Sequence, residues 1–177
     1  RALYLQKVSQ GAVKNPCYFA MDATRPGGFG RRFYVICEAN QTFRAVPSGQ
    51  GSGRNVPGAN FSNGIQCAKN FSNAMDSQLT TGGPYVTAEI RTSFKGYYRT
   101  SGEKSVALMR SFVQFDGEGD AANARPRAIG GHPAVVVTGL CLRKAPGNPY
   151  ADREGYVPFG QLVDYSAGRS NGCTSWS

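Results

Sequence analysis

Residues 32–37 have the sequence RFYVIC, in which aromatic and β-branched residues predominate. Such residues favour the pleated, half-buried surface of a β-strand, so this stretch predicts a strand. The segment CYFAMD at 17–22 predicts a shorter strand before it, and RPGGFG at 25–30 supplies a turn. A third strand at 42–46 follows EANQ at 38–41, which predicts a hairpin. The chain therefore opens as a β-meander.

Later segments continue the β pattern. Strands are predicted at 85–90, 93–98 and 105–115, joined by turns at 91–92 and 100–103, and a buried strand at 134–138. Residues 116–124 predict a polar turn or the start of a short helix, and residues 156–164 predict one short helix. We expect a single, mainly β domain over residues 1–177, with few short helices and long loops.

A glycine-rich segment interrupts the strands between residues 47 and 83. Loops of this length without regular structure are uncommon in compact domains, and those that occur are disordered or functional. Phe61, Ile65, Phe71 and Met75 predict that this segment is ordered and packs onto the sheet.

The charge of the chain is strongly basic, with 20 Lys and Arg against 11 Asp and Glu and a formal net charge of +9. Such a surface attracts nucleic acid, acidic polymers or anionic membranes. The basic residues are scattered, however, which favours a general surface property, and carboxylate-ended peptidoglycan stems suit this charge equally well. No stretch reaches the roughly 18 apolar residues of a membrane helix. The start at Arg1 is typical of a mature or trimmed chain.

Five cysteines occur, and their odd number in an exported protein predicts two disulfides and one remaining thiol. The alternative is five reduced cysteines in a cytosolic protein. No CxxC spacing is present and the chain has one histidine, so we expect neither a zinc site nor another metal site. An acidic alternation at 116–120 lacks the rest of a calcium loop.

The segment 168–173, GRSNGC, has the features of a nucleophile turn. A reactive thiol needs exposure, a nearby base and N–H donors aimed at the developing oxyanion. Gly172 allows a tight bend beside Cys173, so the N–H groups of Asn171, Gly172 and Cys173 can converge, and Arg169 adds positive potential that favours the thiolate. The competing interpretation is a glycine-rich turn that ends in a disulfide cysteine.

His132 is the single histidine of the chain, so any histidine-dependent mechanism must use it. It lies between Gly131 and Pro133, before a predicted buried strand, where a carbonyl can fix the tautomer of the imidazole. The competing interpretation is a histidine satisfied within a loop. The patterns GxSxG, GxxxxGK[ST] and HExxH are absent. Tyr97, Tyr98 and Arg99 could stack on single-stranded nucleic acid, but such a pattern is typical of a strand face.

Taken in order, several motifs resemble one known family. They are YFAMD, RRFYVICEANQTF, VPSGQGSG and FSNG, then FDGEGDAANARPRAIGGHPA, and finally GRSNGC. Together they resemble the murein L,D-transpeptidase catalytic-domain family, in its YkuD-type branch, over residues 17–176. The resemblance implies a mostly β fold, either a β-sandwich or a mixed sheet, and an exported, periplasmic location. It requires no cofactor.

The resemblance also implies roles for individual residues. Cys173 is the nucleophile and His132 its base, with an oxyanion hole from the backbone at Asn171, Gly172 and Cys173. A carbonyl of Gly131 or Pro133 orients the histidine. Three features depart from the family pattern and concern donor specificity: Asn before the Gly-Cys pair, Pro after the histidine, and a long interval between histidine and cysteine that contains Cys141.

The expected partners are donor and acceptor stem peptides of peptidoglycan, without nucleic acid or membrane insertion, and the chain is expected to be monomeric. Arg169, Arg127, Arg125 and Ser170 are candidate substrate-binding residues, since guanidinium groups pair bidentately with carboxylates. Arg127 could instead form a structural ion pair. The product could be a 3–3 or a 1–3 cross-link. A stem-peptide hydrolase, a non-catalytic wall-binding module and any disulfide pairing among Cys17, Cys37, Cys67 and Cys141 remain open.

Overall fold

A computed structural model describes residues 1–25, 31–63, 67–99, 105–133, 135–147, 153–164, 169–170 and 172–176. Within these ranges the chain is mainly β, with one curled mixed sheet and one α-helix, α1 (Ala2–Ser9). The strands are β1 (Cys17–Met21), β2 (Arg31–Cys37), β3 (Thr42–Gly51), β4 (Asn55–Val56), β5 (Ala59–Asn60), β6 (Tyr85–Arg99), β7 (Ser105–Gly117), β8 (Gly130–Pro133), β9 (Val135–Lys144), β10 (Tyr156–Asp164), β11 (Arg169–Ser170) and β12 (Thr174–Trp176).

The main sheet follows the order β1-β2-β3-β12-β8-β7-β9-β10, with β11 beside β3 and β6 beside β7. Most neighbours are antiparallel, but β12 runs parallel to β8 and β11 parallel to β3. The strands β4 and β5 form a separate hairpin. The predicted mainly β fold is thus confirmed, in the form of a mixed sheet. The last strand of the chain, β12, lies in the middle of this sheet.

The opening meander is confirmed as β1, β2 and β3, with a short 3₁₀ turn at Glu38–Asn40. The antiparallel register places Cys17 directly opposite Cys37, and the two form a disulfide with a Cα–Cα distance of 4.2 Å. Cys67 and Cys173 are thiols. The expectation of two disulfides around a single thiol is therefore wrong, because Cys67 was assigned to a pair. The side chain of Cys141 lies outside the described residues.

The strand β6 runs without a break through Arg91 and Thr92, where a turn was predicted, so that prediction is wrong. It pairs along its length with β7, with Arg91 opposite Phe112 and Thr92 opposite Ser111. The register shifts on either side of this region, as in β-bulges. Each shift adds one residue to β6 relative to β7, while the backbone continues as a strand between the two shifts.

The segment Tyr156–Asp164 is the strand β10, so the predicted short helix is wrong. It pairs antiparallel with β9, which confirms a strand over residues 135–138 of the predicted 134–138, whereas the burial of their side chains lies outside the described part of the structure. Val157 and Val163 are β-branched, which lowers their helix propensity, and pairing with β9 provides the backbone partners that an isolated segment lacks. A 3₁₀ turn at Gly119–Ala121 confirms the short helix start predicted within residues 116–124.

The glycine-rich segment is ordered in its described part, as predicted. Its first residues extend β3 to Gly51. Asn63 is 2% exposed, and its side chain accepts from the N–H groups of Lys69 and Asn70 (both 2.9 Å) and donates to the carbonyls of Gly51 (3.2 Å) and Asn70 (2.9 Å). Leu79 and Gln50 of this segment are completely buried.

The aromatic and methionine residues expected to anchor this segment do not do so. Phe61, Phe71 and Met75 are all largely exposed, and Ile65 lies outside the described residues. Hydrogen bonds of Asn63 and burial of Leu79 hold the segment instead.

A compact apolar cluster lies beneath the centre of the sheet. Phe115, Ala124 and Ile129 form it, with Tyr85, Val113 and Trp176 packed against them. The Trp176 ring also stacks near Phe33, with centroids 5.1 Å apart. This cluster joins β7, the segment before β8 and the last strand β12, so it lies next to the elements that carry His132 and Cys173.

Candidate active site

Cys173 lies immediately before β12, which is inserted between β3 and β8. Ser175 pairs antiparallel with Gly49 on one side and parallel with His132 on the other. With about 3.3 Å rise per residue and about 4.8 Å between strands, the Cα atoms of Cys173 and His132 are on the order of 8 Å apart. The fold therefore places the backbone of Cys173 near that of His132, the two residues that the sequence singled out for catalysis.

The close pairing of β12 with β8 depends on Gly131. An added Cβ at this position would lie 2.0 Å and 2.2 Å from ring atoms of Trp176. The indole ring therefore covers the backbone of Gly131 directly. Since Thr174 pairs with Gly131, any larger residue would displace the strand that follows Cys173.

The imidazole of His132 is 3% exposed and has a defined partner. Its Nδ1 lies 3.0 Å from the carbonyl oxygen of Pro133, one of the two carbonyls predicted to orient it. In the neutral ring this contact assigns the proton to Nδ1 and leaves the lone pair on Nε2. The ring stacks near Phe112, with centroids 6.5 Å apart. This tautomer is the one that a general base needs.

The thiol of Cys173 is half-buried and donates to the carbonyl of Ala128, with an Sγ–O distance of 3.5 Å. The carbonyl of Cys173 accepts a short hydrogen bond from the Ser170 hydroxyl. In the structure the Ser170 hydroxyl stabilises the nucleophile turn through this bond. The predicted role of Ser170 in binding substrate stays a prediction. Arg169 is the first residue of β11, and its backbone pairs with that of Gln50 in β3. The side chain of Arg169 lies outside the described residues.

Gly172 has a backbone conformation and surroundings that require glycine. Its φ is +113°, a left-handed value that side chains rarely adopt. An added Cβ would lie 2.5 Å from Ile129 Cδ1 and 3.1 Å from the carbonyl oxygen of Leu79. The predicted tight bend before Cys173 is present. Asn171, the third predicted oxyanion donor, lies outside the described residues.

The guanidinium of Arg127 is held by the glycine-rich segment. Nη1 donates to the Ser72 carbonyl (2.8 Å) and to Thr81 Oγ1 (2.7 Å), and Nη2 donates to Ser77 Oγ (3.0 Å) and the Leu79 carbonyl (2.5 Å). These partners are neutral, so this is not the structural ion pair considered as an alternative. The predicted role of Arg127 in binding a stem carboxylate stays a prediction.

Arg127 also lies close to the nucleophile. Its Nη2 would be 3.4 Å from a Cβ added at Gly172. Burial lowers the pKa of Arg127, whereas the charges of Tyr85 and Cys173 act in the opposite direction. By reciprocity, the positive charge of Arg127 favours the thiolate of Cys173.

The guanidinium of Arg125, unlike that of Arg127, contacts acidic side chains. It forms ion pairs with Glu89 (3.0 Å) and Asp116 (2.5 Å), all on the surface. Hydrogen bonding from Arg125 is the main cause that lowers the pKa of Glu89 to about 2. The predicted substrate-binding role of Arg125 stays a prediction, and its guanidinium is here engaged by two carboxylates.

A groove of about 280 Å³ lies beside Ala128, whose carbonyl accepts the hydrogen bond from the Cys173 thiol. Its lining residues are Met75, Asp76, Gln78, Pro126, Arg127 and Ala128. Asp76 (φ 58°), Gln78 (57°) and Ala128 (51°) account for three of the four non-glycine residues with positive φ in the described part of the chain. Each such residue costs about 1 kcal/mol or more, and such strain clusters at functional sites.

A larger cavity of about 470 Å³ lies between α1 and the sheet. Its lining is mainly apolar and includes Tyr4, Tyr18, Phe33 and Phe115, but neither Cys173 nor His132. Neither residue lines the smaller groove, but Ala128 does, and its carbonyl accepts the hydrogen bond of the Cys173 thiol. The smaller groove is the candidate substrate site because of this contact.

Buried polar residues support the nucleophile turn from the far side, and the sequence did not identify them. Arg32 is completely buried and donates to the carbonyls of Ser48 (2.7 Å), Ala23 (3.0 Å) and Arg25 (2.7 Å), and to the amide of Gln50. Burial lowers its pKa. These contacts fix the end of β3 against which β11 and β12 pair. The adjacent pair Arg31-Arg32 was visible in the sequence, but it was attributed to general surface charge.

Comparison with protein-family models, with curated proteins and with solved structures found no match for this chain. Within the described residues, no group of three or more His, Cys, Asp or Glu side chains is arranged to hold a metal ion. In the same part of the chain, no helix is long and apolar enough to cross a membrane.

Proposed function

We propose that this chain is a peptidoglycan L,D-transpeptidase of the YkuD type, which forms cell-wall cross-links through a thioester on Cys173. The observation that carries the proposal is the parallel pairing of β12 with β8, which places the thiol turn beside an imidazole with its Nδ1 held by Pro133. A thiol, a base of fixed tautomer and a glycine-bent backbone are the elements that cysteine acyl transfer needs.

The proposed reaction has two steps. His132 accepts the thiol proton, and the Cys173 thiolate attacks the carbonyl carbon adjoining an L-centre of the donor stem. The amide C–N bond breaks, the amine leaves with a proton from His132, and a thioester remains. The side-chain amine of diaminopimelate on a second stem then attacks the thioester carbonyl and gives up a proton to His132. The C–S bond breaks, the new amide forms, and the Cys173 sulfur leaves and takes the proton back from His132.

The groove beside Ala128 is the proposed substrate site. Asp76, Gln78 and Arg127 line it, and the guanidinium of Arg127 lies near Gly172. Negative charge that develops on the attacked carbonyl would lie close to this guanidinium and to the N–H groups of the turn. Removal of one oxyanion donor typically lowers the rate on the order of 10²–10³-fold.

An exported, periplasmic location belongs to the same proposal. The Cys17–Cys37 disulfide supports it, because disulfides persist in oxidising compartments and are rare in the cytosol. The thiol form of Cys173 favours an enzyme over a wall-binding module with an oxidised cysteine at that position. A hydrolase that releases stem residues to water uses the same two catalytic residues, and the products distinguish the two.

The test is incubation of the purified protein with peptidoglycan, followed by digestion and mass analysis of muropeptides. New 3–3 or 1–3 linked dimers are expected, and trimmed stems without dimers would indicate a hydrolase. A carbapenem should form a mass adduct at Cys173 that is lost in Cys173→Ala and retained in Cys67→Ala. No dimer, no trimmed stem and no adduct would overturn the proposal.

A further inference from the structure

The hydroxyl of Thr80 joins the end of β3 to the nucleophile turn. Thr80 is 8% exposed, and its Oγ1 accepts from the N–H of Gly51 (2.7 Å) and donates to the carbonyl of Gly172 (3.1 Å). A hydroxyl has one hydrogen to donate, so the bond to Gly51 leaves that hydrogen directed at Gly172. The side chain is thus a bridge between two backbone segments far apart in sequence.

The backbone segments around this hydroxyl are in direct contact. A Cβ added at Gly51 would lie 2.5 Å from Gln78 O, 2.5 Å from Thr80 N and 2.8 Å from Gly172 Cα. Glycine is therefore required where residues 78–80 cross both β3 and the turn. Because no side chain fits between them, the position of Thr80 relative to Gly172 is tightly determined.

The carbonyl of Gly172 and the N–H of Cys173 belong to one planar peptide unit. No peptide bond in the described residues is cis, so these two groups point in opposite directions. A hydrogen bond that fixes the carbonyl towards Thr80 consequently fixes the direction of the Cys173 N–H. That N–H is the donor that the nucleophile itself contributes to an oxyanion hole.

We propose that Thr80 is a positioning residue that orients the Cys173 N–H for oxyanion binding, through its hydrogen bond to the Gly172 carbonyl. This inference rests on the proposed function, because it concerns the same acyl-transfer site. Thr80 acts through the peptide unit and does not touch the substrate. Its loss should slow reactions that pass through an oxyanion and leave other reactions of the thiol unchanged.

Two reagents separate these cases. Carbapenem acylation passes through a tetrahedral oxyanion, whereas iodoacetamide alkylation is a direct displacement of iodide by the thiolate. Thr80→Val keeps the shape of the side chain and removes both hydrogen bonds. We expect it to lower the carbapenem rate about 10- to 100-fold and to leave the pH profile of alkylation unchanged. The loss should be smaller than the roughly 10²–10³-fold effect of removing an oxyanion donor, because the Cys173 N–H remains and only its orientation changes. Thr80→Ser keeps the hydroxyl and should restore the acylation rate.

Ser48→Ala is the control. The Ser48 hydroxyl is also buried, but it donates to the Gly49 carbonyl and to Met21 Sδ and not to the nucleophile turn. This variant should leave the ratio of acylation to alkylation at the wild-type value. Thr80→Ala provides a second hydroxyl-free side chain if valine does not fold.

Three results would overturn the inference: acylation of Thr80→Val at the wild-type rate, parallel losses of acylation and alkylation, or no recovery in Thr80→Ser. Failure of the proposed function is distinguishable, because the wild-type protein would then be alkylated at Cys173 and not acylated.

Discussion

Ser175 lies directly opposite His132 in the parallel pair that β12 forms with β8. Cys173 precedes Ser175 by two residues, so this register determines how close the thiol turn comes to the imidazole. A shift by one residue would direct the strand's side chains to the other face of the sheet. Trp176, packed on Gly131, helps to prevent such a shift.

Replacement of His132 should change the pH dependence of the thiol. We expect His132→Gln to lower carbapenem acylation at neutral pH by about 10²–10⁴-fold, the usual contribution of a general base. Part of the rate should return at high pH, because ordinary thiols ionise near pH 8.5 without a base. Acylation rates measured from pH 6 to 10 test this. Ser175→Ala, on the facing strand, is the control and should keep the wild-type dependence of the acylation rate on pH. The same dependence in His132→Gln would exclude His132 as the general base.

Replacement of Arg127 distinguishes its two possible roles. Arg127→Met removes four hydrogen bonds to residues 72–81 and should lower the free energy of unfolding by about 2–4 kcal/mol. If Arg127 acts mainly through this segment, kcat should fall because Leu79 and Thr80 lose their support. If it binds a stem carboxylate, KM for the donor should rise instead. Urea unfolding and steady-state kinetics with stem peptides measure the two effects.

A control for that experiment is Arg125→Met. Arg125 pairs with Glu89 and Asp116 at the surface, where ion pairs contribute little. Its replacement should change stability much less than that of Arg127. A larger loss in Arg125→Met would contradict the assigned contacts.

A methyl group at Gly51 should disrupt the site. The Cβ of Gly51→Ala would overlap backbone atoms of Gln78, Thr80 and Gly172, none of which can rotate away. We expect a loss of about 3 kcal/mol or more in unfolding free energy, together with loss of acylation. Gly82→Ala is the matched control, because an added Cβ there meets no atom within 4 Å. Similar melting temperatures for the two variants would contradict the backbone contact.

Stability should depend on pH through Glu89. Its pKa is lowered from an ordinary 4.5 to about 2 by Arg125, so its ion pair stabilises the folded state above pH 4.5. This stabilisation is lost as the pH falls towards about 2, because the unfolded chain binds the proton first. The difference in stability between wild type and Glu89→Gln should therefore shrink over that interval. Urea unfolding at low salt measures it, and 0.5 M salt should reduce it because the groups are exposed.

Local sequence patterns were sufficient for part of the fold. Strands β1, β2 and the start of β3 follow from aromatic and β-branched runs between turn residues, since these properties act over a few residues. The strand β10 and the continuous β6 could not be predicted in the same way. Their backbone partners lie in β9 and β7, and pairing with a remote strand overrides a weak local preference.

The sequence by itself determined a mainly β chain and the two candidate catalytic residues. His132 is the single histidine, and Cys173 follows a glycine whose freedom the turn uses at φ +113°. Tertiary structure decided what surrounds them. Insertion of the last strand between β3 and β8, the Thr80 bridge to Gly172 and the contacts of Arg127 all join segments far apart in the chain. Such contacts depend on sheet register and backbone packing, which no local run of residues specifies.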